Sequence, residues 1–264
     1  MLRPRIIPCL LIRNGGLVKT IGFSNAKYVG DPINAVRIFN EKEVDELIVA
    51  DIDATTLGCE PNYKLIEQLA AECRMPLCYA GGIKRPEQVE RIIALGVEKV
   101  GISSAAIESI DLISECAHRV GSQSIVVVMD VRRLGQNQKY ELFTRNGTYA
   151  TGVDPVQFAI SAEEMGAGEI LINSIDFDGK MSRYDLALIE LVRNAVNLPL
   201  SALGGCGSFG DIEGLIHQFG AIGAVAGSFF VFKGKYRAVL IQYPNSTEKE
   251  TLYAGLKNSF FNDQ

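Results

Sequence analysis

The chain has 264 residues and a net charge of −5, with 47% hydrophobic and 22% charged residues. This length is enough for one large α/β domain, and the acidic balance disfavours nucleic acid or an anionic membrane surface as a partner. No apolar run reaches the about 20 residues of a membrane-spanning helix, and the first residues are not typical of a signal peptide. The six cysteines form no Cys-x-x-Cys pair, which predicts free thiols in a cytoplasmic protein.

Apolar runs alternate with amphipathic segments along the chain, and the runs are nearly continuous, as in strands covered on both faces. In chain order, the predicted strands are 5–12, 46–53, 76–81, 99–103, 124–130, 169–175, 199–203 and 221–227. The helices predicted between them are 32–42, 63–72, 86–95, 110–120, 155–165, 185–195 and 211–219.

This alternation predicts a parallel sheet, and eight such units close most simply as a (β/α)8 barrel, the TIM-barrel fold of the α/β class. An open, doubly wound sheet is the alternative. An internal repeat favours the barrel, because a shift of 123 positions places Asp31-Pro32 on Asp154-Pro155 and Gly81-Gly82 on Gly204-Gly205. We therefore expect one domain over residues 1–264, with half-barrels at about 1–122 and 123–232.

Two segments fall outside this alternation. Residues 132–152 contain two alternating runs around Asn146-Gly147, which predicts a β-hairpin inserted after the fifth strand. The tail, residues 233–264, has an apolar stretch at 237–243 and a predicted terminal helix at 249–261.

Function in such barrels is located at the carboxyl ends of the strands. A glycine pair follows each of strands three and seven, and a pair of residues that contains a hydroxyl group follows each of strands four and eight. Glycines allow backbone N–H groups to approach an oxyanion, and serines add donors, so the symmetric placement predicts a ligand with two phosphate-like ends. Tight turns are the alternative reading. The pairs are Gly81-Gly82, Gly204-Gly205, Ser103-Ser104 and Gly227-Ser228.

Charged residues at the same end are candidates for proton transfer and substrate binding. Asp130 ends the fifth strand and is the predicted general acid or base. Asp51, Asp53, Asp176 and Asp178 end strands two and six and are further candidates, with helix capping or turn formation as the alternative. Lys19 follows a glycine-rich loop that would close over an anionic substrate; an exposed surface lysine is the alternative. His118 and His217 have no partner at ligand spacing, so we expect no metal and no cofactor.

At the opposite end, four strands begin with a charge of alternating sign: Arg5, Glu46, Lys99 and Glu169. Each charge alone is uninformative. Together they predict an ion-paired ring that closes the barrel bottom and gates a small polar molecule.

To about Phe232 the chain resembles the HisF family, the cyclase subunit of imidazole glycerol phosphate synthase. The matching stretches are 5–10, 30–32, 45–47, 81–83, 121–123, 166–171 and 174–176. The resemblance implies that a HisH-type glutaminase docks at the N-terminal face and that its ammonia crosses the four-residue gate to a phosphorylated small-molecule substrate. It also places Lys19, Asp51 and Asp176 at substrate positions. The phosphate contacts that it implies are Gly82, Ser103, Ser104, Gly205, Gly227 and Ser228.

One departure from the family pattern is decisive for the chemistry. The family has aspartates at the ends of strands one and five; Asp130 matches the second, but Leu11 occupies the position of the first. Ser103 stands where an asparagine is usual. The opening and the stretch 237–244 are similar to HisF-like proteins of acetamidino modification in surface-polysaccharide biosynthesis, which implies a further partner, a separate sugar amidotransferase. An amidination subunit, a histidine-pathway cyclase and a non-catalytic ammonia conduit remain as hypotheses.

Overall fold

The computed structural model, which describes residues 3–135 and 139–259, contains a closed barrel of eight parallel strands. Neighbouring strands pair in chain order, and β5 pairs with β6 so that no edge remains in the barrel. The open sheet is therefore excluded, and the predicted TIM barrel is confirmed. The strands are β1 (Arg5–Arg13), β2 (Leu47–Asp51), β3 (Leu77–Ala80), β4 (Lys99–Ile102), β5 (Ile125–Leu134), β6 (Glu169–Ser174), β7 (Leu200–Leu203) and β8 (Gly223–Ala226).

A helix follows each of the first seven strands, as predicted, with ends that differ by at most two residues from the prediction. Capping explains the differences: Ser208 accepts from the backbone of Asp211, so the last of these helices begins at Phe209. Asp185, predicted as a first helical residue, is instead an N-cap. The helices are α1 (Pro32–Glu41), α2 (Tyr63–Glu72), α3 (Pro86–Ala94), α4 (Asp111–Val120), α5 (Pro155–Glu164), α6 (Leu186–Arg193) and α7 (Phe209–Phe219).

Two hairpins extend strands above the barrel. The predicted one is present: Lys139–Thr144 pairs with the end of β5 and with Tyr149–Ala150. The other was not predicted. Strands Gly16–Ile21 and Ser24–Gly30 form a hairpin where a glycine-rich loop was expected. Short helices, Ser104–Glu108 and Ser228–Val231, begin directly after β4 and β8.

The tail contacts the first two strands of the barrel near their starts. The C-terminal helix, Ser246–Ser259, begins three residues before the predicted start, and residues 260 and 261 of the predicted helix lie outside the described residues. Tyr243 donates its hydroxyl to the carbonyl of Ile6 at 2.8 Å and accepts from the amide of Asp45 at 3.1 Å. Lys249 pairs with the Asp45 carboxylate at 2.9 Å. These contacts lie beside the starts of β1 and β2.

The core has two parts. The larger part lies between the strands and the surrounding helices. The smaller part fills the barrel interior, which we call the lumen; it is apolar, and its fully buried side chains are Ile7, Cys9, Ile48, Cys78, Val126, Leu171 and Val225. All six cysteines are free thiols. Among residues 3–135 and 139–259, no helix is long and apolar enough to cross a membrane.

Candidate functional site at the carboxyl ends of the strands

One pocket opens at the carboxyl ends of the strands, between the loops and the two hairpins. The structure brings nearly all the predicted upper-end residues into its wall. Asp176 is the exception. The predicted residues that line the pocket are Leu11, Lys19, Asp51, Gly82, Ser103, Ser104, Asp130, Gly205, Gly227 and Ser228.

Two positions in this pocket require glycine because another part of the backbone lies too close for a side chain. Gly82 and Gly205 have φ values of +73° and +102°, in the region that L side chains rarely adopt. A Cβ at Gly205 would come within 1.8 Å of the carbonyl oxygen of Arg183. Because both positions exclude a side chain, backbone remains bare on the two sides of the pocket.

A single carboxyl, Asp130, projects from the end of β5. Its Oδ1 accepts from Nδ2 of Asn173 at 2.8 Å. Burial raises the pKa of Asp130 to about 7, although this hydrogen bond acts in the opposite direction. A carboxyl with that pKa can release or take up a proton near neutral pH. Leu11 lines the same pocket on β1, which lies across the eight-stranded barrel from β5.

Two polar atoms in the pocket wall lack partners. Ser103 Oγ and Asn173 Oδ1 are buried, and neither makes a hydrogen bond. Buried polar atoms are nearly always paired, so unpaired ones in a pocket wall indicate groups that meet a ligand. Asn173 was not among the predicted site residues; its signal in the sequence is a polar residue two positions after Leu171, on the lumen-facing side of β6.

The unpredicted first hairpin buries Lys19. This side chain is 4% exposed, and its Nζ donates to the carbonyl of Cys9 at 2.5 Å. The alternative of an exposed surface lysine is therefore wrong. Burial lowers the pKa of Lys19, against the opposing effect of Cys9 and Asp178.

The carboxylates after β6 occupy places that differ from the prediction. Asp176 accepts from the backbone N–H of Arg133 at 2.7 Å and does not line the pocket. Asp178 lines it instead, and it accepts from the Thr20 hydroxyl at 2.8 Å and the Phe23 amide at 3.1 Å. Burial raises the pKa of Asp178. Asp178 thus holds the first hairpin against the pocket.

Asp51 lies in the pocket wall at the end of β2. Its Oδ1 accepts from the amides of Asp53 and Ala54 at 3.0 and 3.2 Å. Burial raises its pKa despite these two hydrogen bonds. The second oxygen of the carboxylate is thus left for a ligand hydroxyl or amide.

The four charges at the strand starts form a closed ring at the other end of the lumen. Lys99 lies 3.0 Å from Glu46 and 2.9 Å from Glu169, and Arg5 pairs with Glu46 and, at 2.7 Å, with Glu169. Each cation therefore bridges both carboxylates. Burial opposes ionisation of Glu169, but Arg5 and Lys99 outweigh it and lower its pKa.

Comparison with known proteins agrees with this architecture. A family model described as "Histidine biosynthesis protein" matches residues 5–237. A Leptospira interrogans protein described as "Putative imidazole glycerol phosphate synthase subunit HisF" is 54% identical over 96% of this chain and all of its own length. "Imidazole glycerol phosphate synthase subunit HisF" of Lactococcus lactis subsp. cremoris is 40% identical over 87% of this chain and 89% of its own. The chain belongs to the HisF family.

In this member of the HisF family, the closed ring of charges, the apolar lumen and the polar pocket follow one another from the strand starts to the strand ends. A charged group that enters apolar surroundings without a partner pays a large desolvation penalty, so the lumen disfavours ions. Within the described residues, no three His, Cys, Asp or Glu side chains are grouped to hold a metal ion.

Proposed function

We propose that the chain is the HisF-like synthase subunit of a cytoplasmic glutamine amidotransferase complex. A HisH-type glutaminase docks on the N-terminal face, and its ammonia passes the ring of Arg5, Glu46, Lys99 and Glu169 into the lumen. Three features support this proposal: the relatives are described as imidazole glycerol phosphate synthase subunits, the ring is complete, and the lumen above it is apolar.

We propose further that the complex serves the acetamidino modification of a surface-polysaccharide sugar, together with a separate sugar amidotransferase. The observation that carries this is Leu11. Ring closure to an imidazole calls for an acid and a base, and the pocket places one carboxyl on β5 and an aliphatic side chain on β1. The glycines and serines of the rim and the buried Lys19 favour a phosphorylated substrate.

Two alternatives rest on particular observations. The histidine-pathway cyclase is favoured by Asp130, whose pKa of about 7 suits proton transfer, and it is opposed by Leu11. A non-catalytic conduit is favoured by the lumen alone, and it leaves the pKa of Asp130 and the unpaired atoms of Ser103 and Asn173 without a purpose.

The experiment that separates these functions is a cyclase assay of the purified chain with the histidine-pathway substrate and excess ammonium salt. Free ammonia bypasses the glutaminase, so the assay measures this subunit alone. We expect no turnover. Leu11→Asp restores the second carboxyl, and a lack of turnover in that variant would indicate that other positions have also diverged. Turnover comparable to that of an ordinary HisF subunit would establish the histidine pathway instead.

The partner is tested separately. Co-expression with a HisH-type glutaminase from the same organism is expected to give a complex that elutes earlier than either protein in size-exclusion chromatography. Glu46→Lys, which places three positive charges in the ring, is the matched variant for the entrance: the complex is expected to form and ammonia delivery to fail. Two separate peaks for the unaltered proteins would refute the partnership.

A further inference from the structure

A second space, which we call the outer chamber, opens beside the pocket at the first half-barrel. Its volume is about 390 Å³, within the range of about 300–1,000 Å³ that is usual for small-molecule sites. It joins the pocket directly, because four residues line both spaces: Thr55, Ile83, Ser104 and Arg145. The residues that line the outer chamber alone are Thr56, Leu57, Gly58, Lys84, Ala105 and Glu108.

Two cations in the wall of the outer chamber lack a carboxylate partner. Lys84 follows β3, and Arg145 lies in the turn between Lys139–Thr144 and Tyr149–Ala150. Both residues are exposed, and neither forms a salt bridge within residues 3–135 and 139–259. Because lysine and arginine are the side chains that bind phosphate oxygens in proteins, the chamber offers a place for an anion that the fold itself does not supply.

Hydroxyl groups connect the outer chamber with the predicted phosphate contacts. The Thr55 hydroxyl accepts from the Gly82 amide at 3.3 Å, so its own hydrogen is left to donate to a ligand. Ser104 lines both spaces and follows Ser103, whose buried Oγ has no partner. A phosphate at Gly82 and Ser104 would therefore lie at the junction of the pocket and the outer chamber.

The internal repeat shows that the fold does not require the two cations. The shift of 123 positions places Lys84 on Gly207 and Arg145 on Gly22. The shift also holds in the structure, since it aligns strand Gly16–Ile21 with Lys139–Thr144 residue by residue. Both cations thus belong to one half-barrel, and glycine occupies both equivalent positions in the other.

Backbone closes the equivalent space in the second half-barrel. A Cβ at Gly207 would lie 2.1 Å from the carbonyl oxygen of Met181, and one at Gly205 would lie 1.8 Å from that of Arg183. At the position equivalent to Gly207, by contrast, Lys84 carries an exposed side chain. The two ends of the pocket are therefore unlike: the second is closed, and the first continues into the outer chamber.

We infer that the outer chamber binds the second phosphate of a diphosphate ester, whose first phosphate lies at Gly82 and Ser104. Lys84 and Arg145 bind the second phosphate, and the guanidinium can donate two parallel hydrogen bonds to it. Glu108 accepts hydroxyl groups of the ester, as a ribose would present them in a nucleoside diphosphate. The inference rests on the proposed phosphorylated substrate and deepens it: the substrate has a diphosphate at one end and a single anionic group at the other.

Calorimetric titration of the purified chain with inorganic phosphate and inorganic pyrophosphate tests the diphosphate site. We expect pyrophosphate to bind at least about ten-fold more tightly than phosphate, because it gains charge-assisted hydrogen bonds in the outer chamber. Lys84→Ala and Arg145→Ala are each expected to lower the affinity for pyrophosphate by about ten-fold and that for phosphate by less than about two-fold.

Lys139→Ala is the matched control, because it removes the same charge from an exposed position of the same hairpin. Lys139 lines neither the pocket nor the outer chamber, so both affinities are expected to stay within about two-fold. Arg145→Lys keeps the charge but loses the paired hydrogen bonds, and its affinity for pyrophosphate is expected to lie between those of the unaltered chain and Arg145→Ala.

Uridine diphosphate tests the role of Glu108. We expect it to bind more tightly than pyrophosphate to the unaltered chain. Glu108→Gln is expected to lower the affinity for uridine diphosphate by at least about three-fold, because the acceptor for the ribose hydroxyls loses its charge. The affinity of this variant for pyrophosphate should be unchanged or higher, since a negative charge beside the site has been removed.

Equal affinities for phosphate and pyrophosphate in the unaltered chain overturn the inference, as does an equal loss of both in Lys84→Ala and Arg145→Ala. Uridine diphosphate that binds more weakly than pyrophosphate overturns the assignment of the ester. In each case the proposed glutaminase complex still stands. A failure of the proposed function is detected separately, as the absence of that complex, and it leaves the binding of pyrophosphate unaffected.

Discussion

The polar side chains at the two ends of the lumen differ in whether they are paired. At the ring every charge is paired, with each of Arg5 and Lys99 joined to both carboxylates. At the pocket, Ser103 Oγ and Asn173 Oδ1 are buried without partners. Paired groups stabilise the shape in which they lie, whereas unpaired ones are satisfied when a ligand arrives. The difference indicates that the ring holds the strand starts together and that the pocket is built to bind a ligand.

The largest expected effect comes from breaking the paired end. Glu169→Ala leaves Arg5 and Lys99 with a single carboxylate between them, and we expect the free energy of unfolding to fall by about 3 kcal/mol. Urea denaturation measures it. Glu90→Ala is the control, because its pair with Arg119 is on the surface, and it is expected to cost less than about 0.5 kcal/mol. Equal losses in the two variants would contradict the view that the ring's pairing stabilises the barrel.

The second prediction concerns the chemistry of the unpaired end. Asp130→Asn keeps the shape of the side chain but removes its proton exchange, so we expect the ammonium-driven reaction of the assembled system to slow by about 100-fold or more. Binding of inorganic phosphate, measured by calorimetry, should stay within about two-fold of the original because the rim contacts are untouched. Full activity in this variant would instead support the conduit alternative.

The pH dependence of stability sharpens the same contrast. Burial raises the pKa of Asp130 from 3.8 to about 7, so between these values the folded chain keeps a proton that the unfolded chain has lost. This contribution favours the folded state at low pH and is lost as the pH rises through that window. We therefore expect the wild type to lose more stability than Asp130→Asn between about pH 4 and pH 8 in urea titrations. Parallel curves would show that Asp130 is ionised in the fold.

The smallest effects come from two serines at opposite ends. Ser201→Ala removes a hydroxyl on β7 that donates to Glu169 of the ring, and it is expected to lower the free energy of unfolding by about 1–2 kcal/mol. Ser103→Ala removes an unpaired one, so stability should change by no more than about 0.5 kcal/mol, while phosphate affinity falls. Thermal denaturation and calorimetry compare the two. A larger loss of stability in Ser103→Ala than in Ser201→Ala would reverse the assignment of the two ends.

The barrel was predictable because its signals are local and repeated. Apolar runs and proline or aspartate at helix starts, as at Asp31-Pro32, determine the strands and helices within a few residues. The first hairpin was missed because Gly15 and Gly16 are typical of a loop, and its strand pairing depends on β1 behind it. That pairing also determines that Lys19 is buried.

The residues of the site were predictable only where the residue type has one common role at the end of a strand. The glycines, the serines and Asp130 meet in the pocket, and the ring forms as the alternating charges predicted. Asp176 and Asp178 lie two positions apart in a turn, where no strand periodicity decides which of them faces the pocket. Ser201 and Gly223 are register partners on the neighbouring strands β7 and β8, and residue spacing along the sequence does not show such a pairing.

The bonds from Tyr243 and Lys249 to the starts of β1 and β2 also constrain the order of events during synthesis. The first strand leaves the ribosome well before β8 and the segment that contacts Ile6 and Asp45. A nascent chain therefore carries an unpaired strand edge until β8 has been translated, a surface open to wrong pairing.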